Sequence, residues 1–172
     1  MKLTVPTMEY EEQIMAFRRE FLESGDSMDG GARLRKCESV QEWLDQLEPD
    51  TSQFLYVREE DGKVVGILQI RHRFNAYLEK YAGHIGYAVC PGERRKGYAT
   101  RMLAAALAEC VRIGINDVLI TCLKDNEASR RTILRNGGEY ESDVWEPDMR
   151  AWIERYWVHL GEKRSHPADP FV

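Results

Sequence analysis

The sequence predicts an α/β protein: a mixed, mostly antiparallel sheet flanked by helices. Three observations predict it. A hairpin pattern, Ser52 to Val57 and Val64 to Arg71, surrounds an Asp61-Gly62 turn. An apolar strand then runs into a glycine-bearing basic turn that opens a long amphipathic helix. Strand and helix alternate from there toward the C-terminus. At 172 residues the chain is expected to be one domain, 1–172, with residues 161–172 as a C-terminal tail.

Lys2 to Val5 has strand composition and Pro6 ends it. Thr7 is placed to cap a helix whose Tyr10, Ile14, Phe17 and Phe21 fall on one face, with Ser24-Gly25 as its end. Asp26 to Lys36 has no period and two adjacent glycines, so it is a loop. Ser39-x-x-Glu42 is a capping box for a second helix with Val40, Trp43, Leu44 and Leu47 inward, stopped by Pro49. The hairpin follows, then a connection over His72 to Lys80 and a central strand over Gly83 to Cys90. Thr100 to Ile113 is the central helix, with Leu103, Ala106, Leu107 and Cys110 on one face and Gly114 as its stop. Asp117 to Cys122 is an apolar strand. Asp125 or Asn126 caps a short helix that ends at Gly137-Gly138, and two strands flank Glu146-Pro147-Asp148. Trp145, Trp152 and Trp157 are expected to pack in the core, with a pocket wall or a dimer interface as the alternatives.

A formal charge of −5 argues against nucleic acid as the main partner and suits a cationic acceptor. No apolar run approaches the ~20 residues of a membrane span, so no membrane partner is expected. Cys37, Cys90, Cys110 and Cys122 form no CxxC pair and no zinc spacing. They are read as buried, reduced thiols, consistent with a cytoplasmic location, and no metal is expected.

The chemistry concentrates in GHIGYAVCPGERRKGYAT, Gly83 to Thr100. A helix N-terminus carries free N–H groups and partial positive charge. Gly97 lets the backbone approach a ligand, and Arg94, Arg95 and Lys96 add charge, which together suit a phosphate or pyrophosphate. Glycine-rich nucleotide loops have other spacings, which this turn lacks.

Arg94-x-x-Gly97-x-Ala99 after this strand resembles the acyl-CoA-binding signature of the GNAT family of N-acetyltransferases. A second segment, KDNEASRRTILRNGG from Lys124 to Gly138, strengthens the likeness. The resemblance covers Thr51 to Tyr140 well and the ends loosely. It implies the GNAT-like fold, with the central strand and its successor splayed around a pantetheine arm. It implies acetyl-CoA as acyl donor and a primary amine, small-molecule or peptide, as acceptor. Backbone groups from Arg95 to Thr100, Tyr98 and Ala99 among them, would receive the pyrophosphate. Those of Tyr87, Ala88 and Val89 would pair with the pantetheine, with the amide near Val89 as oxyanion donor. Asn126 and Ser129 would bond the pantetheine. A homodimer is the family-based expectation.

The chain departs from the family where many members carry catalytic side chains. The usual Tyr position is Ile133 and one usual Glu position is Thr121. His84 is a candidate general base, and Tyr87, Tyr98 and Tyr140 are candidate proton donors for which aromatic packing is the plainer role. The residues therefore leave two readings open. One is an N-acetyltransferase working by direct attack in a ternary complex. The other is a catalytically impaired acyl-CoA-binding regulatory or interaction module.

Overall fold

The computed structural model describes residues 1–161; the tail expected over 161–172 lies outside them apart from Gly161. Seven strands and four α-helices follow one another as β1 (Lys2–Thr4), α1 (Glu11–Ser24), α2 (Val40–Asp45), β2 (Thr51–Val57), β3 (Val64–Arg71), β4 (Ile85–Val89), α3 (Tyr98–Arg112), β5 (Asp117–Leu123), α4 (Glu127–Arg135), β6 (Glu139–Glu146) and β7 (Ala151–His159).

The strands form two antiparallel sheets, ordered β1-β2-β3-β4 and β5-β7-β6. β7 lies between β5 and β6, so the last strand among the described residues is central in its sheet. The sheets meet at one isolated bridge, Gly83 with Ile120, and part beyond it. In place of the expected mixed sheet, all ladders and this bridge are antiparallel, and the division falls between β4 and β5, where the resemblance implies a gap.

Each face of the first sheet has its own core. Leu55, Val57, Ile67, Ala88 and Cys90 pack with Ile14, Phe17, Phe21 and Trp43 of α1 and α2. Phe54, Tyr56, Leu68, Ile70 and Val89 pack with Met102, Leu103, Ala106 and Leu107 of α3, and Ile133 of α4 joins them. Inward residues therefore alternate along the strands, as a sheet covered on both faces requires. All four cysteines are free and buried in these cores.

Most local signals hold, but α2 ends at Asp45 with Gln46 as its C-cap, before Pro49 is reached. Ser39 Oγ accepts from Glu42 N–H at 3.1 Å, and Glu42 returns a bond to the Glu38 amide at 2.8 Å. Gly25, at φ 73, closes α1 in the left-handed conformation that glycine adopts without penalty. Thr7, however, makes no side-chain cap; a 3₁₀ turn, Met8–Tyr10, intervenes before α1. Nor are Trp145 and Trp152 in the core. They stack edge to face at 5.5 Å on the β6–β7 hairpin and are 45% and 49% exposed. Trp157 is half-buried and donates to Glu141 Oε1 at 2.8 Å.

Candidate active site

The turn between β4 and α3 is built to leave amides free. Arg95 takes φ 65 and Gly97 φ 75, both left-handed, with Lys96 between them at negative φ. Alternation of this kind turns successive N–H groups toward one side as an anion-binding concavity. From Arg95 to Thr100 no N–H donates to a carbonyl or side chain of the described residues; the helix ladder begins with Arg101 N–H to the Gly97 carbonyl at 3.3 Å. Tyr98, Ala99 and Thr100 form the first turn of α3 and add its dipole.

The cations around this turn are less available than their spacing suggests. Arg94 Nε donates to the Val89 carbonyl at 3.2 Å, and its Nη1 pairs with Asp26 at 2.6 Å. Lys96 is bound to Glu93 at 2.8 Å. Two of the three expected phosphate ligands thus hold the turn in shape, and Arg95 is the one without an ion pair among the described residues.

Glu93 is the residue that sequence reasoning missed. Its side chain is buried, and it gathers Arg58 at 2.9 Å, Lys63 at 3.0 Å and Lys96. The bond from Lys96, with those from Lys63 and Arg58, outweighs burial and lowers its pKa to about 2. A lone acid inside a basic turn was the available signal. Glu93→Gln is expected to lower stability by roughly 1–3 kcal/mol at pH 7 in urea unfolding, because cations lose their buried acceptor. The sign with pH follows from the lowered pKa. The ionised group stabilises the fold fully above about 4.5, and that contribution fades as pH falls toward about 2. The gap between wild type and variant should close over that window.

The register of β4 decides which of its backbone groups face the gap. Arg71 N–H donates to the His84 carbonyl at 2.8 Å, and Cys90 N–H to the Val65 carbonyl at 2.9 Å. Between these ends the ladder runs without a bulge. By the alternation of an antiparallel pair, Gly86 and Ala88 turn their backbone groups to β3, and Ile85, Tyr87 and Val89 turn theirs to the open edge. Ala88, expected to offer backbone bonds to a cofactor, is committed to β3. Tyr87 and Val89 face the open edge, where the Val89 carbonyl already accepts from Arg94 Nε.

Tyr87 also reaches across with its side chain. Its hydroxyl lies 2.9 Å from Ser129 Oγ on α4, and burial raises its pKa to about 12. Asn126 Oδ1 accepts the Ser129 N–H at 3.0 Å, so this carbonyl caps α4. Asn136 ties the far end of α4 to α3 by donating to the Thr100 carbonyl at 3.2 Å.

His84 does not fit the base role. Leu119 N–H donates to its Nδ1 at 2.9 Å, while the His84 N–H donates to the Leu119 carbonyl at 2.8 Å. The ring completes the junction of the two sheets where a backbone carbonyl is missing. Burial, then the Arg71 charge, lower its pKa to about 4. A neutral imidazole accepting at Nδ1 carries its proton on Nε2 and keeps no lone pair for an amine. Ile133 is fully buried, and Thr121 Oγ1 donates to the Tyr81 carbonyl at 3.0 Å. Burial first of all raises the Cys90 and Cys122 thiols to about 12, which disfavours a thiolate nucleophile. Among the described residues no cluster of His, Cys, Asp and Glu is arranged to hold a metal, and no helix is long and apolar enough to cross a membrane.

Near the start of β4, on the α1–α2 face, lies a cavity of ≈ 550 Å³. Arg33 of the α1–α2 loop, Glu48 and Asp50 before β2, Gln69 and Arg71 of β3, and Phe74 of the following connection line it. The loop is pinned beside it. Gly30 lies so close to Gly86 that a Cβ on Gly30 would sit 2.1 Å from the Gly86 carbonyl oxygen. Gln53 Nε2 donates to the Gly30 carbonyl at 2.8 Å, and Trp43 Nε1 to the Gly31 carbonyl at 2.9 Å.

The sequence model of the Acetyltransferase (GNAT) family matches residues 13–137, and the chain belongs to that family. Solved structures agree on the fold. The microcin C7 self-immunity acetyltransferase MccE, in complex with acetyl-CoA and AMP, superposes with a TM-score of 0.68 at 17% identity, over 92% of this chain and 91% of that one. The ribosomal-protein-S5-alanine acetyltransferase of Vibrio fischeri gives 0.70 at 12% identity, over 93% of each chain. Mycobacterium smegmatis RimJ, in complex with CoA-disulfide, gives 0.69 at 19%, over 94% and 83%. A comparison with curated protein sequences returned no match.

Proposed function

We propose that this chain transfers an acetyl group from acetyl-CoA to a primary amine by direct attack in a ternary complex. One observation carries the reading: unpartnered amides at Arg95 to Thr100 follow the open edge of β4, separated from it by the turn over residues 90–94, whose own N–H groups are bonded. Two sets of free donors in that order suit a pyrophosphate joined to an extended, amide-bearing arm. Acetyl-CoA and CoA-disulfide in two structural neighbours support the choice of ligand. The buried, reduced thiols suit a cytoplasmic setting.

In this mechanism the amine nitrogen attacks the thioester carbonyl carbon, and the C–O π electrons move to oxygen. Val89 N–H, on the open edge, donates to that oxyanion. As the carbonyl reforms, the C–S bond breaks and the thiolate leaves. The amine loses its proton to water, since His84 is committed elsewhere. A thiol pKa of ~8.5 makes the thiolate a fair leaving group. Tyr87, protonated at neutral pH, donates a hydrogen bond to the departing sulfur from the gap beside α4. It thereby takes over part of the task usual for the Ile133 position.

Thiol release with acetyl-CoA and a panel of primary amines tests the transfer reading. Tyr87→Phe is expected to lower kcat by on the order of 10- to 100-fold with acetyl-CoA affinity nearly unchanged, since the backbone bonds persist. An unchanged kcat would remove Tyr87 from the chemistry. The buried Ile133 and the tied Thr121 favour a second reading, an acyl-CoA-binding module without turnover. Tight acetyl-CoA binding with no thiol release across the panel would select it.

A further inference from the structure

The cavity beside β4 has an arginine with an unused binding edge. Arg71 is half-buried at the end of β3, across from Thr51. Its Nη1 donates to the Gly83 carbonyl at 3.1 Å. Its Nη2 lies by Gly86, 3.2 Å from where a Cβ would stand. Nε and Nη2 make no hydrogen bond to the described residues, and no carboxylate there comes within ion-pairing distance of Arg71.

Nε and Nη2 together form the side of a guanidinium that takes a carboxylate through two parallel bonds. This chain fills that side elsewhere from within. Arg58 holds Asp61 at 3.0 and 2.7 Å, and Arg130 holds Glu154 at 2.8 and 2.8 Å. Arg155 holds Glu141 in the same way. Arg71 lines the cavity with that side open, in a chain whose formal charge is −5.

The rest of the lining has matching polarity. Arg33 and Arg73 add positive charge, and neither is ion-paired among the described residues. Glu48 and Asp50 line the same cavity and can face an ammonium. Gly30 and Gly86 meet backbone to backbone, so the α1–α2 loop covers β4 at Gly86, beside Arg71 Nη2.

We propose that Arg71 receives the carboxylate of the acceptor, so that the acceptor is an amine that also carries a carboxylate. The assignment rests on the transfer reading above. It distinguishes this cavity from one for a polyamine, whose several ammonium groups would meet three guanidinium groups against two carboxylates in the wall. Arg71 acts here as a specificity residue and takes no part in the bond changes.

Matched substrates test it without a variant. Amino acids of increasing chain length, each beside its primary amide, are compared in thiol release with acetyl-CoA. The acids are expected to exceed their amides in kcat/KM by on the order of 10- to 100-fold. Arg71→Gln should raise KM for the acids by a similar factor and leave the amides and acetyl-CoA binding nearly unchanged. Arg71→Lys, which keeps charge but not the fork, should recover part of the loss. Equal use of acids and amides by the wild type, or preference for the amides or for a polyamine, overturns the proposal. If no amine is turned over, calorimetric titration of the same acids into CoA-loaded protein decides it. Binding of an acid that Arg71→Gln abolishes keeps the carboxylate site while the transfer reading falls. No binding of any acid removes both.

Discussion

Gly97→Glu is expected to abolish acetyl-CoA binding, weakening it at least on the order of 100-fold, while the protein stays folded. Gly97 stands in open space, with no atom within 4 Å of an added Cβ, so a Cβ at this position meets no neighbour. Its cost to the fold is conformational. At φ 75 a non-glycine residue loses about 1–2 kcal/mol, which a native stability of about 5–15 kcal/mol absorbs. For the ligand the consequences are larger. The carboxylate enters the concavity of free amides and competes for the donors that would hold a pyrophosphate. It also brings like charge against the phosphates. Calorimetric titration with acetyl-CoA, with ATP as comparator, reads the effect, and circular dichroism checks the fold. A folded variant that binds acetyl-CoA as tightly as wild type would move the cofactor away from this turn.

Gly30→Ala is expected to be severely destabilising for the addition of a single methyl group, costing about 3 kcal/mol or more. Its Cβ would lie 2.1 Å from the Gly86 carbonyl oxygen, 2.6 Å from the Gly86 carbonyl carbon and 2.9 Å from the Tyr87 nitrogen. All three are backbone atoms of the central strand and cannot rotate away. The φ of 77 adds strain of its own. Relief requires the α1–α2 loop to lift from β4, breaking the bonds from Gln53 and Trp43 that pin it. Gly62→Ala separates the two causes. Gly62 has φ 70 and open space, so it registers strain without collision, at about 1–2 kcal/mol. Urea unfolding of both variants should show the larger loss at Gly30. Equal losses would mean that the loop accommodates a methyl group and that the close packing on Gly86 is not required.

Much of the fold was legible because its signals are local. The stripe of Ile14, Phe17 and Phe21, the Ser39–Glu42 box and the Asp61-Gly62 turn each follow from spacing over a few residues. Errors arose where a local signal met a competing partner. Thr7 lost its capping role to a 3₁₀ turn that starts the helix later. Hydrophobicity alone puts Trp145 and Trp152 inside, but they sit on the exposed β6–β7 hairpin of the second sheet. Arg94 and Lys96 suit phosphate by charge and by their place beside Gly97. Asp26 and Glu93 claim them first.

The sequence by itself determined the class of fold, the family and the position of the candidate cofactor turn. Those depend on glycine placement, helix starts and hydrophobic period, which are properties of neighbouring residues. Tertiary structure alone decided the rest. It inserted β7 between β5 and β6, turned Tyr87 and Val89 but not Ala88 to the open edge, and spent the His84 lone pair on Leu119. It also brought Arg33, Glu48 and Arg71 around one cavity. The physical reason is that hydrogen-bond partners and ion pairs are chosen among residues far apart in the chain. Which lone pair or N–H remains free for chemistry is known only after every nearer partner has been satisfied.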